Sequence, residues 1–166
     1  MAGRSNLRLK LGDFGIFVIF SAIYAAGTLG LPRISLLAYQ VKVGEIPSAF
    51  AAIFGMPAVF GLTLGQFIAN LGAEASPIAM LSPVFSFVGL LVIYYSRKFS
   101  TLAGCIAYIV ITSVWLSFML PMVSKAPSSV ASYSAFVGQI IAVMIGYAVF
   151  ALVRRTMPTE TATNRP

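Results

Sequence analysis

The chain has 166 residues, of which 59% are hydrophobic and only 9% are charged. Soluble domains carry roughly 25% charged residues, so this composition excludes a water-covered surface and predicts an integral membrane protein. The net charge of +7 would suggest nucleic-acid binding in a soluble protein. Here the basic residues lie between and beyond the apolar stretches, where they set the orientation in the membrane instead.

Histidine is absent and Cys105 is the one cysteine in the sequence. These counts exclude an intrachain disulfide, a zinc-ligand cluster and histidine-based catalysis. Cys105 lies inside an apolar stretch, so we interpret it as a packing residue. The sequence therefore predicts no metal site and no cofactor.

Apolar blocks lie at about 14–31, 46–72, 78–96, 101–123 and 131–153. A spanning helix needs about 20 residues, so four of the blocks are predicted to be single transmembrane helices. The first block is preceded by Arg4, Arg8 and Lys10, as in a signal peptide. Its 18 residues exceed the usual apolar core of a signal peptide, about 7–15 residues, so we predict a spanning helix there.

The second block, 46–72, is interrupted by Gly55, Met56 and Pro57. Because proline cannot continue a helix from the preceding turn, the block is either one long kinked helix or a hairpin of two helices over 46–55 and 57–72. The positive-inside rule favours the hairpin. With six helices and both termini in the cytoplasm, eight basic residues lie inside and three outside, whereas five helices give seven and four.

The predicted fold is thus an all-α membrane protein, a bundle of six transmembrane helices in one domain over 1–156. We expect it in the plasma membrane with both termini cytoplasmic, and we expect the polar tail 157–166 to be disordered. A helix over 46–55 rises only about 15 Å, about half of a hydrocarbon core. The segment before it, 32–44, is expected to dip inward, which requires a cavity on the outer side.

Glu45 and Glu74 flank the second block in a chain with only four carboxylates. Ionisable groups at the edge of a bilayer are costly and mark ligand or ion paths. Gln66 and Asn70 lie between them, and a spacing of four residues places Gln66, Asn70 and Glu74 on one helix face. This stripe suits a flat, nitrogen-rich heterocycle or a cationic amine. The alternatives are interhelical hydrogen bonds and, for Glu74, a solvated loop position.

Glu45 stands where a helix begins, so it either caps that helix through the helix dipole or faces the cavity with Arg33, Tyr39, Gln40 or Lys42 of the preceding loop. Trp115 and Tyr133 lie near the predicted outer ends of helices. Both are typical interface anchors, and stacking against a planar ligand is the alternative.

The first helix carries Ala22, Ala26 and Gly30, a small residue at every fourth position. Such a stripe lets another helix approach closely. The spacing leaves open whether that helix belongs to this chain or to another subunit.

Residues 42–46 (Lys-Val-Gly-Glu-Ile) and 57–71 resemble the QueT family, most clearly in the pattern G-x-x-x-G-x-x-I-A-N-L that begins at Gly61 and contains Gly65 and Asn70. This family consists of queuosine-precursor transporters, which are substrate-binding S components of energy-coupling factor (ECF) importers. Glu45 matches an acidic position of the family. In the turn 72–77, Glu74 stands where the family pattern leads us to expect an aspartate.

The resemblance implies six helices, an outward-facing pocket and no energy source within the chain. It also implies that the first helix docks through Ala22 and Ala26 on a transmembrane coupling subunit shared with two cytoplasmic ATPases. The implied ligand is a deazaguanine-type base, for which Glu45 and Asn70 are suitable hydrogen-bond partners.

We therefore predict a substrate-binding membrane subunit of an ATP-driven micronutrient importer, for a queuosine precursor or a similar small nitrogenous compound. The sequence contains no phosphate-binding loop, no HExxH motif and no GxSxG elbow, and we predict no catalytic residues and no nucleic-acid partner. One alternative is a self-contained small transporter or channel-like oligomer. Another is a ligand-free structural subunit of a membrane complex.

Overall fold

A computed structural model describes residues 2–30, 42–73, 75–124 and 127–156, and these parts are helical and contain no strand. The segment 31–41, with Arg33, and position 74 lie outside the described residues, as does the predicted tail 157–166. We number the helices in chain order: α1 Ala2–Leu29, α2 Val43–Phe54, α3 Met56–Gly72, α4 Ser82–Ser96, α5 Thr101–Ser124 and α6 Ser128–Thr156. Helix α2 is a 3₁₀ helix over Val43–Phe50 and an α-helix over Ala51–Phe54.

Within the described residues, four stretches are long and apolar enough to cross a membrane, which makes the chain an all-α, multi-pass membrane protein. They are Gly12–Leu29, Ala79–Ser96, Thr101–Val123 and Ser132–Thr156. Helix α1 begins before the predicted range 14–31 and ends short of it at Leu29, whereas α6 extends beyond 131–153 at both ends. Helix α1 begins at Ala2, because the leucine, arginine and lysine residues before the apolar run are good helix formers, and hydropathy locates only the apolar part.

The second apolar block is broken at Gly55, whose φ of 72° lies in the left-handed region that glycine tolerates. Proline in the first turn then starts α3. Helix α2 runs antiparallel to α1, because Gly44 at its start lies beside Thr28 and Phe54 at its end packs on Phe20 with ring centroids 5.3 Å apart. The chain therefore turns back on itself at this glycine.

Helix α3 runs parallel to α1 and packs closely against it. Gly61 lies against Phe17, and a Cβ on Gly65 would come within 2.5 Å of the carbonyl oxygen of Ser21. Small residues permit this approach, but they come from α3. The predicted stripe on α1 is not used for this packing: its members, Ala22, Ala26 and Gly30, are exposed.

The last three helices complete the bundle. Helix α4 runs antiparallel to α5, since Ser82 contacts Trp115 and Ser96 lies beside Gly104. Helix α6 runs parallel to α2, since Gly146 lies against Ile46 and Phe150 packs on Phe50 with centroids 6.0 Å apart. The start of α1 and the end of α6 consequently lie at the same end of the bundle, which we call the terminal end. The other end is called the loop end.

The close packing of α1 on α3 predicts that Gly65→Ala destabilises the protein. The added methyl group meets backbone, which cannot move aside easily, and overpacking of this kind costs about 1–3 kcal/mol. Thermal unfolding in detergent measures the effect. Gly15→Ala is the control, because a Cβ there has nothing within 4 Å, and it should leave the melting temperature unchanged or raise it. Equal melting temperatures for the two variants would contradict the close contact.

Candidate functional site

Buried apolar side chains form two clusters at different heights in the bundle. The larger cluster includes Phe20, Leu62, Leu90, Ile109 and Val143, and the smaller one lies nearer the loop end and consists of Leu116, Met119, Leu120 and Ala135. On α5 the buried residues between Ile109 and Leu116 are Thr112 and Ser113, and on α6 the buried Gln139 lies between Ala135 and Val143. A polar layer therefore separates the two parts of the core.

Other helices contribute buried polar residues at the same height. The indole Nε1 of Trp115 donates to the Ser82 hydroxyl over 2.9 Å, which aligns the start of α4 with this part of α5. The Asn70 amide donates to the Ala79 carbonyl over 3.0 Å, which brings the end of α3 to the turn before α4. Gln66 lies one helical turn before Asn70. The polar layer consists of Thr28, Gln66, Ser82, Ser86, Thr112, Ser113 and Gln139, all buried.

Glu45 is completely buried next to this layer, at the start of α2. The hydroxyl of Tyr24 on α1 donates to its Oε1 over 2.8 Å, and the hydroxyl of Tyr108 on α5 donates to its Oε2. The Ser48 hydroxyl donates to the Glu45 backbone carbonyl over 2.6 Å and lies 3.4 Å from Oε2. We call these four residues the Glu45 cluster.

The Glu45 cluster replaces the water that a carboxylate loses when it is buried. A carboxylate removed from water costs several kcal/mol unless it is paired or hydrogen-bonded, and here hydroxyl groups from three helices surround it. The carboxylate thus joins α1, α2 and α5, whereas a capping carboxylate would have bonded the backbone of its own helix.

Lys42 precedes α2 and is also buried. Removal from water lowers the pKa of the Lys42 ammonium, and the nearby carboxylate of Glu45 acts in the opposite direction. Lys42 therefore lies close enough to Glu45 for the two side chains to interact electrostatically.

Four buried polar atoms in the described structure have no hydrogen-bond partner. Buried polar groups are nearly always paired, and each unmade bond costs about 1–3 kcal/mol. The four atoms come from α1, α3, α5 and α6: Thr28 Oγ1, Gln66 Oε1, Ser113 Oγ and Gln139 Oε1. The buried polar atoms without hydrogen-bond partners thus all belong to residues of the polar layer.

Among the residues predicted for the site, the structure places Gln66 in the polar layer and Glu45 next to it. Asn70 is half-buried and its amide holds the turn before α4. Trp115 stacks on Phe85 with ring centroids 4.1 Å apart, so both its ring and its N–H have partners within the protein. Tyr133 is 70% exposed on α6 and lies outside the layer.

Sequence reasoning missed Tyr24, Tyr108 and Gln139. Gln139 was detectable, because it is an isolated amide within a long apolar run and polar groups at that depth are expensive. Tyr24 and Tyr108 lie inside helices, away from the interface positions typical of tyrosine. That position hints at a buried partner, but the sequence does not reveal which one.

Two cavities open on apolar surfaces away from the polar layer. One lies on the outer face of α4, and the other lies between α1 and α2 with a volume of about 330 Å³. Their linings include Tyr95 and Phe99 in the first case and Ile19 and Phe50 in the second. Neither lining includes Glu45 or an amide of the polar layer.

The family model described as QueT transporter matches residues 16–155 of the chain. The chain belongs to the QueT transporter family. No match was found among curated proteins or among solved structures. Family membership and the four apolar spans together make the chain a multi-pass membrane protein of a transporter family.

In a QueT transporter, a layer of buried polar groups within the bundle offers hydrogen-bonding groups to a small molecule. The carboxylate of Glu45 and the carbonyl oxygens of Gln66 and Gln139 are hydrogen-bond acceptors. Thr28 and Ser113 add hydroxyls that can donate or accept. The layer can therefore bind a molecule whose polar edge is made mainly of N–H groups.

The Glu45 cluster predicts that Tyr108→Phe destabilises the protein, because one donor to a buried carboxylate is lost. Hydrogen bonds to charged groups contribute about 1.5–3 kcal/mol, so the melting temperature in detergent should fall by several degrees. Tyr95→Phe is the matched control, because Tyr95 is 66% exposed on α4, and it should have no effect. If Tyr108→Phe is as stable as the parent, the hydroxyl does not solvate Glu45.

Proposed function

We propose that this protein is the S component of an ECF importer, the membrane subunit that captures a queuosine precursor or a similar deazaguanine-type base. The observation that carries the proposal is the polar layer with its unpartnered acceptors, found inside a member of the QueT transporter family. Unpartnered buried acceptors lower the stability of a structural subunit without a ligand, whereas in a binding subunit the ligand supplies the missing donors.

We further propose six membrane crossings with both termini in the cytoplasm. The reversal at Gly55 supports this topology, because it makes α2 and α3 two opposed segments and places the start of α1 and the end of α6 at the terminal end. The basic pairs Arg97-Lys98 and Arg154-Arg155 lie at that same end. Excess positive charge at one end of a bundle indicates the cytoplasmic side.

The proposed ligand site lies in the polar layer and opens towards the loop end, which faces the exterior in this topology. A deazaguanine presents ring N–H groups and an exocyclic amine, which are donors for Glu45 and for the layer's acceptors. Asn70, Glu74, Arg33 and Trp115 are proposed for the rim, nearer the exterior. Tyr133 is left out, because its side chain is exposed on the surface of α6.

The chain supplies affinity, and the energy for release comes from partner ATPases in this proposal. The coupling subunit docks on α1 through Ala22, Ala26 and Gly30. These residues are exposed, while the opposite face of α1 is buried against α3. The stripe is consequently free to receive a helix from another subunit.

Ligand binding is tested with the purified full-length chain. Addition of 7-deazaguanine should raise its melting temperature, and Glu45→Ala should abolish the rise, because the carboxylate is lost from the site. Mass spectrometry of the native preparation should find a deazapurine bound to the chain. Tyr95→Phe is the matched control and should retain the response. If no deazapurine binds and a different micronutrient co-purifies, the ligand assignment is wrong and the capture role stands.

A transport assay tests whether this chain only binds the ligand while partner ATPases supply the energy. Vesicles that contain only this chain should bind but not accumulate 7-deazaguanine. Accumulation without any ATPase would show a self-contained transporter and would contradict the proposal.

Docking is tested by Ala22→Phe together with Ala26→Phe. The bulky rings should prevent co-purification of the coupling subunit with the chain, while the melting temperature of the isolated chain stays within about 2 °C of the parent, since exposed positions change stability by less than about 0.5 kcal/mol. Val110→Phe is the control, because Val110 is 48% exposed on α5, and it should leave the complex intact. Equal recovery of the complex from all variants would remove α1 from the docking surface.

A further inference from the structure

We infer that Gln66 and Gln139 recognise the ligand, each by accepting a hydrogen bond at its side-chain carbonyl oxygen. The two residues thereby select molecules with at least two N–H donors. This inference rests on the proposed function, because it assigns residues within the same site. It differs from the sequence-based prediction, in which Glu45 and Asn70 were the leading contacts and Gln139 had no role.

The first argument is burial without partners. Gln66 is 2% exposed and Gln139 is 1% exposed, and the Oε1 atom of each is buried without a hydrogen-bond partner in the described structure. Glutamine is mostly found at protein surfaces, so two such residues in one layer of a membrane bundle carry a substantial energetic cost. The cost is removed when a ligand supplies the missing donors.

The second argument is the contrast with other polar residues in the helices. Thr63, Thr112 and Ser117 each donate to a carbonyl of their own helix, at 2.8 Å in each case. These hydroxyls satisfy themselves locally, which is common for threonine and serine in helices. A glutamine carbonyl cannot do so, because the helix N–H groups around it already bond to backbone carbonyls. Its donor must come from elsewhere.

The third argument separates the two amides from Glu45. Tyr24 and Tyr108 already donate to the two oxygens of the Glu45 carboxylate, so each of these oxygens has a donor within the protein. The carbonyl oxygens of Gln66 and Gln139 are free. Glu45 therefore organises the site, and the amides are the acceptors that meet an incoming molecule first.

The arrangement of the two amides defines the ligand class. Gln66 belongs to α3 and Gln139 belongs to α6. Because these are different helices, a ligand between them would meet the two carbonyl oxygens from different directions. A planar heterocycle with N–H groups on two edges matches this arrangement. A molecule that presents only acceptors would leave the oxygens unpaired and would add its own unpaired groups, which a buried site rejects strongly.

The test uses Gln66→Met and Gln139→Met in the full-length protein. Methionine has a similar length and no oxygen, so each variant removes the unpaired acceptor and keeps the volume. In the absence of ligand, each variant should melt higher than the parent, by about 2–4 °C for a protein of this size. Its affinity for 7-deazaguanine should fall about tenfold or more, as expected for one lost hydrogen bond in a dry site.

Thr63→Val is the matched control, because Thr63 lies on the same helix as Gln66 and bonds only to its own helix in the described structure. Thr63→Val should have the same affinity for 7-deazaguanine and the same melting temperature as the parent. The inference is overturned if either methionine variant melts at or below the temperature of the parent, which would make the amides structural, or if affinity stays within twofold of the parent.

The two proposals fail in different ways. If the parent binds 7-deazaguanine and the methionine variants bind it equally well, the capture function stands and the amide assignment is wrong. If the parent does not bind 7-deazaguanine, the proposed substrate class is wrong. The melting temperatures without ligand then decide the amide assignment alone: a rise supports it and any other result overturns it.

Discussion

The buried carboxylate of Glu45 is the constraint on which the arrangement of the helices depends. An apolar bundle cannot hold such a group unless donors surround it. Here the hydroxyls of Tyr24 and Tyr108 donate to the carboxylate and Ser48 lies beside it, so groups from three different helices meet at Glu45. The short 3₁₀ segment at the start of α2 places the carboxylate deep in the bundle. The geometry of the polar layer follows from this, because α1 and α5 must approach close enough to deliver their tyrosines.

Glycine packing makes that approach possible. Gly65 lets the backbone of α3 touch α1 one turn from Tyr24, and Gly89 on α4 leaves room for the ring of Tyr108. Each glycine removes a side chain where a tyrosine has to lie, so the two aromatic rings reach the carboxylate without strain in their helices. The apolar clusters above and below then exclude water from the layer. Polar groups in such an environment interact more strongly than in water, which suits a site for a small ligand.

Much of the architecture was predictable from the sequence, because it depends on local signals. Apolar length located four spans, and the Gly-Met-Pro interruption located the reversal, which the structure places at Gly55. The family was recognisable from the glycine pattern of α3 and the acidic residue before it. These features depend on short stretches of sequence, so periodicity and hydropathy are enough to predict them.

The contacts within the site were less predictable, because they join residues far apart in the chain. Nothing in the sequence pairs Tyr24 or Tyr108 with Glu45, since the pairing depends on how α1, α2 and α5 cross. Asn70 resembled a ligand contact by spacing, yet the fold gives its amide to the Ala79 carbonyl. Tyr133 could not be placed either, since helix rotation decides whether a residue near a helix end faces the bundle or the membrane.

Helix α1 has an exposed face at Ala22 and a buried face at Tyr24, only two residues further along the chain. Ala22 is exposed to whatever lies beside the protein, and Tyr24 is 2% exposed and holds the buried carboxylate. An α-helix is stiff over so short a distance, so a push or a roll applied at the alanine is transmitted to the phenol almost undiminished. A neighbouring molecule that shifts this helix by a fraction of its diameter would therefore loosen the central hydrogen bonds without touching them, and the interior would respond to events at the surface.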